Sequence, residues 1–429
     1  MAETQSPAAI CDPKLLRHWQ VRTVATVFVT YATYYFCRQN IAAALPAMQD
    51  ELGLTRAALG QVTMALFIGY ALGQLVFGAA VDRHGPRWLL PTGMLASAAL
   101  NVAFAFSRPL VPMMLIWGLN GFFQATGFPA TTKVIANWFR PSQRGRVSAI
   151  RGADYPTGSL LVMLLAGWLA ANYGWRWAFI VPAGVLAVSA LHTLLRLRAA
   201  PEDVGLPCIE QQERGEGAEN NGGFDGWGYI LKMTVHNPRI WALALAFFGV
   251  TITRYGFGIW AVTYLTDQGA SLTRAAAITA VMWLGGIAGN FAAGWMSDVH
   301  LDGRRARVVV PMLVALAALS ALFPQIPVAN TGLLVIYLIA VGACTYASDM
   351  MIVHTMAMDV ATRKAAASAG GFIDFFGAIG SALTVAVTGY LADSVGWNAA
   401  IMMWAGGALF AAILVATLWN FRGGEEEWL

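Results

Sequence analysis

Apolar stretches about as long as a membrane is thick recur along almost the whole chain. Between Val21 and Leu418, mainly apolar runs alternate with short polar gaps, and about 20 helical residues are needed to cross the hydrocarbon core of a bilayer. Of the 429 residues, 58% are hydrophobic and only 12% are charged, which does not fit the charged surface of a water-soluble globule. The pattern predicts an all-α membrane protein with roughly a dozen helices and lipid as its main solvent.

Twelve transmembrane helices fit the pattern, in two sets of six. The predicted spans are residues 22–45, 58–81, 88–107, 110–137, 145–171 and 176–196, then 238–266, 273–298, 306–325, 331–357, 365–392 and 397–421. The segment between the two sets contains EQQERGEGAENNGG, which is too polar and too rich in glycine to build a core. The predicted organisation is an N-terminal half (1–197), a linker (198–237) and a C-terminal half (238–429).

The positions of lysine and arginine predict the orientation in the membrane. Basic residues cluster in alternate gaps, and the gaps between them are sparsely basic. By the positive-inside rule, both termini and the linker are expected in the cytoplasm. The first twenty residues lack the pattern of a removable signal peptide, so the first helix is expected to stay in the membrane. Since the basic residues are explained by topology, the net charge of +4 does not indicate a nucleic-acid partner.

The sequence contains no pattern typical of a catalytic or cofactor site. Cys11, Cys37, Cys208 and Cys344 lie far apart, without metal-ligand spacing or a disulfide framework. The glycine-rich runs lack the lysine and hydroxyl residue of a nucleotide-binding loop, and close helix packing explains them better. We therefore expect no enzyme activity, no cofactor and no metal.

A loop rich in glycine and charge follows the second predicted span and is repeated after the eighth. Its members are Gly78, Asp82, Arg83, Gly85 and Arg87 in the first copy and Gly294 and Asp298 in the second. Asp82 and Asp298 lie 216 residues apart (298 minus 82). The offset between Arg38 and Arg254 is also 216 (254 minus 38). A shared offset indicates that a six-helix unit was duplicated, which is typical of the major facilitator plan.

The first copy of this loop resembles the signature loop of the major facilitator superfamily. We expect it to act as a gate latch, in which Asp82 accepts hydrogen bonds from helix N-termini or basic groups on the same membrane face. The alternative is a plain turn whose charges only set the topology.

Two arginines within predicted spans are the strongest candidates for binding a solute. A charge near the middle of a span costs about 2.5–3.5 kcal/mol on insertion scales, and such residues mostly face an aqueous cavity. Arg38 lies about midway through the first span and Arg254 lies in the seventh. Their shared repeat offset places them on opposite walls of one cavity, where two guanidiniums can clamp a phosphate or a carboxylate. The alternative is that each arginine is an anchor reaching to the membrane interface.

Several segments resemble the organophosphate:inorganic phosphate antiporter family, which includes bacterial glycerol-3-phosphate and hexose-phosphate transporters. The resembling segments are YYFCRQNIAAALPAM around Arg38, QATGFP from Gln124, NWF from Asn137, EDVGLP from Glu202, RYG from Arg254 with TYL from Thr263, and Ala365 to Gly380. The resemblance covers nearly the whole chain. It implies a twelve-helix carrier in a bacterial inner membrane that exchanges solutes by alternating access. It also implies that Arg38 and Arg254 match the paired phosphate-binding arginines of the family.

The chain departs from that family at two positions. Gln74 stands where the glycerol-3-phosphate branch has a lysine, and Asp154 stands where that branch has a substrate-binding histidine. Further intramembrane charges are Arg151, Asp349 and Asp374. Three arginines and three aspartates make a formally neutral set, whereas an exchanger of a dianion is expected to keep an excess of positive charge.

The extra charges leave two interpretations open. Arg151 and Asp154, three residues apart on one helix face, can form an intrahelical ion pair that offsets the cost of both charges. Alternatively, Asp154 binds a cationic group of a zwitterionic solute or carries a coupling proton. The same choice applies to Asp349 and Asp374, one of which can instead neutralise Arg254 until the substrate arrives.

Polar aromatic residues and one histidine complete the predicted binding site. The predicted lining includes Tyr34, Tyr35, Tyr70, Tyr255 and Tyr264, together with Gln124 in the fourth span. Each tyrosine either binds polar groups of the solute or simply packs between helices. His354 has an ionisation range suited to proton coupling, although a single histidine near a span end is commonly structural.

Three functions are compatible with the sequence. The first is a secondary transporter of a small anionic or zwitterionic solute, such as an organophosphate, in exchange for phosphate. The second is a proton-coupled symporter of a carboxylated or zwitterionic solute that uses Asp154 or Asp374. The third is a non-transporting membrane sensor of a phosphorylated metabolite. We expect a monomer to contain the complete pathway.

Overall fold

A computed structural model of the protein describes residues 13–140, 147, 150–206, 236–301, 304–360 and 366–421. Helices and short turns account for the described chain. The central part of the predicted linker, residues 207–235, lies outside the described residues.

The N-terminal half contains eight α-helices in the described residues. They are α1 (Pro13–Tyr34), α2 (Asn40–Leu52), α3 (Arg56–His84), α4 (Pro86–Phe106), α5 (Leu110–Gln124), α6 (Gly127–Trp138), α7 (Asp154–Tyr173) and α8 (Trp177–Arg196). A 3-10 turn, Tyr35–Cys37, joins α1 to α2, and another, Pro201–Val204, follows α8.

The C-terminal half contains seven α-helices in its described part. They are α9 (Pro238–Asp267), α10 (Leu272–His300), α11 (Ala306–Leu322), α12 (Thr331–Met350), α13 (Ala357–Val360), α14 (Ala366–Ser394) and α15 (Trp397–Ala416). A 3-10 turn, Phe323–Gln325, extends α11, and a π-helical stretch, Met351–Met356, joins α12 to α13.

Nine helical segments within the described residues are long and apolar enough to cross a membrane. The remaining three predicted spans are interrupted or polar at one end. The first divides into α1 and α2, and the fourth divides into α5 and α6 at Ala125 and Thr126. The fifth is described as a helix from Asp154 onward. Interruptions are tolerated inside a membrane where protein covers the irregular backbone, so these breaks mark places where other helices surround the chain.

The two halves pack against each other most extensively through three pairs of helices. The contacts join α3 to α14, α7 to α10, and α2 to α9. Glycine permits the closest approach: a Cβ atom at Gly389 would lie 2.3 Å from the carbonyl oxygen of Arg56, and one at Gly60 would lie 2.6 Å from that of Val385. These contacts lie toward the loops at residues 53–55, 268–271 and 395–396, and we call this side the closed face. The opposite side, which holds Pro13 and the turn at residues 84–86, is the terminal face.

Ion pairs tie the halves together at the closed face. Arg56, which begins α3, donates to Asp267 Oδ2 at 2.7 Å and to Asp393 Oδ1 at 3.1 Å. The backbone N–H of Ala57 donates to Asp393 Oδ2 at 2.8 Å. A fourth contact lies deeper, where Gln39 Nε2 donates to the carbonyl oxygen of Gly258 at 2.5 Å. Since Asp267 and Asp393 end helices of the C-terminal half, moving the halves apart on this side requires these contacts to break.

Candidate functional site

The interruption of the first span presents Arg38 to the interior. The helix narrows to a 3-10 turn at Tyr35–Cys37, and Arg38 follows with φ −123°. At this break, the carbonyl oxygen of Cys37 accepts hydrogen bonds from Asn120 Nδ2 at 2.8 Å and from Asn101 Nδ2 at 3.2 Å. An unsatisfied carbonyl in a membrane costs several kcal/mol, so these two buried amides stabilise the break.

Aromatic rings and an amide surround the guanidinium of Arg38. Its carbon lies 4.4 Å from the ring centre of Tyr70 and 5.0 Å from that of Tyr35. Its Nε donates to Gln124 Oε1 at 3.2 Å. Gln124 is oriented in turn, because its Nε2 donates to the carbonyl of Tyr34 and to Ser97 Oγ. No carboxylate of the described residues forms an ion pair with Arg38, so its nearest stabilising groups are the amide of Gln124 and the rings of Tyr35 and Tyr70.

Arg254 has a similar aromatic environment but a different electrostatic state. Its Nη1 lies 2.7 Å from Asp349 Oδ1, and the two side chains are only 13% and 11% exposed. The ring centres of Tyr155, Tyr255 and Tyr346 lie 5.1 to 5.3 Å from its guanidinium carbon. The two arginines therefore share an aromatic environment, whereas their net local charge differs.

A row of tyrosines connects the two arginines. The ring centres of Tyr35 and Tyr155 lie 5.5 Å apart, and those of Tyr155 and Tyr346 lie 5.8 Å apart. A cavity beside this row is lined by Tyr35, Tyr155 and Arg254 among others. Its volume of about 10 Å³ is enough for roughly one water molecule. The space beside this row is therefore too small to hold an organic solute in this conformation.

Arg151 and Asp154 lie next to each other on the N-terminal side of the cavity. Arg151 Nε is 3.6 Å from Asp154 Oδ2, which is an ion pair but too long for a hydrogen bond. Arg151 Nη2 donates to Thr131 Oγ1 at 2.9 Å, and its guanidinium lies over Tyr31. Asp154 is 1% exposed, and its Oδ2 accepts no hydrogen bond from a described residue. This pair is therefore incompletely satisfied.

Asp374 makes no ion pair or hydrogen bond with a described residue. Its side chain is exposed, yet its carboxylate lies within electrostatic range of Arg38, Arg254 and Asp349. An exposed carboxylate close to three interior charges faces a water-accessible space inside the protein and not lipid, where burial would be costly. Gln74 Nε2 is a second unsatisfied interior group, because it is buried without a described partner.

Several predicted lining residues lie elsewhere. Tyr34 is 1% exposed, and its hydroxyl contacts Thr126 Oγ1 and the carbonyl of Leu90, within the N-terminal half. Tyr264 packs against Phe323 and Trp397 toward the closed face. These two tyrosines thus join helices and do not line the described cavity. The side chain of His354, in the π-helical stretch, lies outside the described residues.

The predicted gate loop is described in part. Gly85 has φ +78° between α3 and α4, and its N–H donates to the carbonyl of Val81, a conformation that favours glycine. Arg83 is exposed, Arg87 lies over Trp88, and a Cβ at Gly78 or Gly294 would meet no atom within 4 Å. The side chains of Asp82 and Asp298, on which the latch hypothesis depends, lie outside the described residues.

The sequence analysis missed four residues of the site. Tyr155 and Tyr346 surround Arg254, Tyr31 stacks on Arg151, and Gln39 connects the two halves. The sequence contains an indication for Tyr346: it precedes Asp349 by three residues, so the two side chains lie on the same face of a helix. Tyr155 and Gln39 directly follow Asp154 and Arg38, and no spacing rule indicates their roles. In the described part of the chain, no group of three or more histidine, cysteine, aspartate or glutamate residues is placed to hold a metal.

Comparisons with known proteins show the family of the chain. The sequence profile of the Major Facilitator Superfamily matches residues 27–382 and, in a second match, residues 266–427. The glycerol-3-phosphate transporter of Bacillus subtilis (strain 168) is 31% identical, over 92% of this chain and 91% of that protein. The membrane sensor protein UhpC of Salmonella typhimurium is 28% identical, over 93% of this chain and 89% of that protein.

The fold has a solved counterpart as well. A bacterial homologue of the human lysosomal transporter Spinster, in an inward-facing and occupied conformation, superposes with a TM-score of 0.71 at 15% sequence identity, covering 93% of this chain and 97% of that one. The predicted resemblance to organophosphate transporters and the predicted all-helical fold are confirmed by these matches. The chain is a multi-pass membrane protein and not an enzyme, and it belongs to the Major Facilitator Superfamily, among relatives of the organophosphate:inorganic phosphate antiporter family.

Proposed function

We propose that the protein transports a small organic phosphate, or a related organic anion, by alternating access, and that Arg38 is the primary anion-binding group. One observation carries this proposal: Arg38 has no carboxylate partner among the described residues, although it lies inside the protein between two tyrosines. A guanidinium in this state gains more from an incoming oxyanion than one that is already paired. The glycerol-3-phosphate transporter among the relatives supports a phosphorylated solute.

Arg254 contributes a second, competitive contact. A phosphate oxygen that reaches Arg254 competes with Asp349, which already holds the guanidinium at 2.7 Å. A solute with a cationic group has an advantage here, because its ammonium can bind the displaced Asp349 or the exposed Asp374. The balance of charges favours an organic anion that carries a positive group, such as an amino-phosphate, over a simple phosphate dianion.

The transport cycle depends on the two halves as rigid units. We infer that residues 1–197 and 238–429 rock about the cavity, joined by a cytoplasmic linker at 198–237. By the positive-inside rule, the terminal face, which holds the start of α1, is cytoplasmic in a bacterial inner membrane. Solute binding promotes the switch only if the occluded state binds the solute more tightly than the open states do. Bridging Arg38 and Arg254 would supply that difference.

The test is solute uptake into proteoliposomes by arginine-to-lysine variants. Arg38→Lys and Arg254→Lys keep the charge but lose bidentate geometry and stacking, and each is expected to abolish uptake of a labelled organic phosphate at unchanged protein yield. The matched control is Arg108→Lys, at an exposed position outside the cavity, which should transport normally. Unimpaired uptake by both cavity variants would refute the assignment.

Proton-coupled symport is the second candidate, and a specific feature favours considering it. Asp154 Oδ2 is buried without a hydrogen bond, and Asp374 is unpaired within the described chain, so either carboxylate is placed to take up a proton. The relationship to UhpC adds the sensor as a third candidate. A sensor would bind an organic phosphate, measured by thermal shift, yet show no flux in the same proteoliposomes.

A further inference from the structure

A second charged cavity lies far from the solute site, on the outer side of the N-terminal half. It is a groove between the start of α1 and the end of α8, at the terminal face, with a volume of about 610 Å³. Deeper in the same seam, Thr30 and Thr193 are in contact at 2.7 Å, and Thr33 donates to Ser189 at 2.7 Å. These hydroxyl contacts hold the two helices together below the groove. The groove is therefore formed by the packing of α1 against α8.

The charge in the groove is of one sign. Its lining includes Lys14, Arg17, Arg22 and Arg196 together with His18 and His192. No aspartate or glutamate occurs among the described residues that line it. Positions 14, 17, 18 and 22 recur at three- and four-residue intervals, as do 192 and 196, so each helix presents its basic residues on one face. Arg17, Arg22 and Arg196 bring like charges together in the groove, and an anion bound there would offset their repulsion.

Two nitrogen atoms in the groove lack a partner. Arg22 Nε and His192 Nδ1 are both buried and form no hydrogen bond with a described residue. Trp19 stacks on the guanidinium of Arg22 at 4.6 Å, which restricts its orientation. A buried donor without an acceptor costs about 1–3 kcal/mol. An oxyanion in the groove would satisfy the N–H of Arg22, and that of His192 in its Nδ1–H or doubly protonated form.

Toward the membrane, the groove continues into apolar surface. Val21 is 63% exposed and Val29 is 43% exposed, and Ala25 lies between them on the same face of α1. A soluble anion would leave this surface without a partner. A phospholipid satisfies both parts at once, because its phosphate meets the basic end and an acyl chain covers the valines.

We propose that this groove binds the headgroup of an anionic phospholipid, with Arg22 and Arg196 as the principal phosphate ligands. The site is separate from the solute cavity and does not depend on the identity of the solute. It anchors α1 and α8, the first and last helices of the N-terminal half, to one leaflet.

The test is native mass spectrometry of the full-length protein in a neutral detergent, with phosphatidylglycerol and phosphatidylcholine added at equal concentration. The wild-type protein should retain phosphatidylglycerol preferentially. Arg22→Gln with Arg196→Gln should reduce that preference about 30-fold, the combined effect of two basic residues at an anionic lipid surface. The charge-conserving pair Arg22→Lys with Arg196→Lys should keep most of it.

The control removes the same charge from the same face. Arg304→Gln with Arg307→Gln changes two arginines that do not line the groove, and lipid preference should stay within about twofold of wild type. Equal retention of both lipids by the wild-type protein would overturn the proposal, as would equal losses in the two glutamine pairs. Displacement of the lipid by millimolar inorganic phosphate would also overturn it, since the groove would then be a site for soluble anions. The lipid comparison and the phosphate competition need only wild-type protein, so they remain decisive if a variant fails to fold.

Discussion

At the scale of single residues, the interior charges are balanced unequally. Arg254 is paired with Asp349, Arg151 lies beside Asp154, and Arg38 and Asp374 have no ionic partner among the described residues. Breaking a buried pair by removing one partner leaves an uncompensated charge and typically costs about 3–5 kcal/mol. Removing a charge that has no partner carries no such penalty. The two kinds of aspartate therefore differ in their contribution to stability.

This difference predicts the behaviour of two asparagine variants. Asp349→Asn should lower the free energy of unfolding by about 3–5 kcal/mol, measured by thermal unfolding in detergent, because Arg254 loses its counterion. Adding an organic phosphate should restore part of the stability, since the ligand replaces the lost carboxylate. Asp374→Asn is the matched control and should unfold close to wild type. Equal stability of the two variants would contradict the ion-pair description.

At the scale of elements, irregular backbone and close contacts determine where the halves meet. The 3-10 turn at Tyr35–Cys37 brings Arg38 into the interior, while Gly60 and Gly389 let α3 and α14 approach closely at the closed face. The same face is tied by Arg56 to both Asp267 and Asp393. A second ion pair there, between Arg176 and Glu51, joins two segments of the N-terminal half. Only the ion pairs of Arg56 resist separation of the halves, because the pair of Arg176 with Glu51 lies within one half.

The two ion pairs provide a controlled test of gating. Arg56→Gln removes two partly exposed ion pairs worth about 0.5 kcal/mol each, and should therefore shift the equilibrium toward states open at the closed face by about fivefold. Hydrogen exchange of backbone amides should then be faster at residues 267–271 and 393–397. Arg176→Gln removes a pair of the same type on the same face and should leave those segments unchanged. Faster exchange in both variants would mean that the effect is local loosening and not gating.

At the scale of the whole molecule, the space beside the tyrosine row is too small for a solute and must widen during transport. Its volume of about 10 Å³ is far below the several hundred Å³ typical of small-molecule sites. The exposed Asp374 indicates that water reaches the interior beyond this constriction. The halves therefore move around a site that is assembled from both of them.

Whether the protein works by exchange or by proton symport depends on what must bind before the halves can move. If Arg38 must be neutralised by an anion before the halves move, an empty carrier returns slowly and uptake requires an anion on the other side. We expect uptake of labelled organic phosphate into proteoliposomes only when they contain phosphate or unlabelled substrate. A protonophore should leave the accumulated level unchanged. Uptake into phosphate-free vesicles that a protonophore abolishes would instead support proton symport.

The charged residues of the site could be predicted from the sequence, whereas only some of the tyrosines that line it could. A charged side chain within a span is costly to insert into the membrane and needs a compensating environment. This cost identifies five interior charges from the sequence: Arg38, Arg254, Asp154, Asp349 and Asp374. Tyr34 and Tyr264 were predicted at the cavity but pack between helices, since residue type does not indicate which side of a helix faces the pathway. The tyrosines nearest Arg254 could not be chosen without knowing which helices converge.

By itself, the sequence determined the membrane class, and it predicted the twelve spans, the two repeated halves and the candidate charges. These follow from the length of the apolar runs, from the repeat offset and from the cost of charge in lipid, which are local properties of the chain. Only the tertiary structure decided which charges pair. Asp349 reaches Arg254 across 95 residues and Gln124 reaches Arg38 across 86, and such pairs depend on how helices from distant parts of the chain are rotated against each other. The difference between the paired Arg254 and the available Arg38 therefore arises from packing between helices.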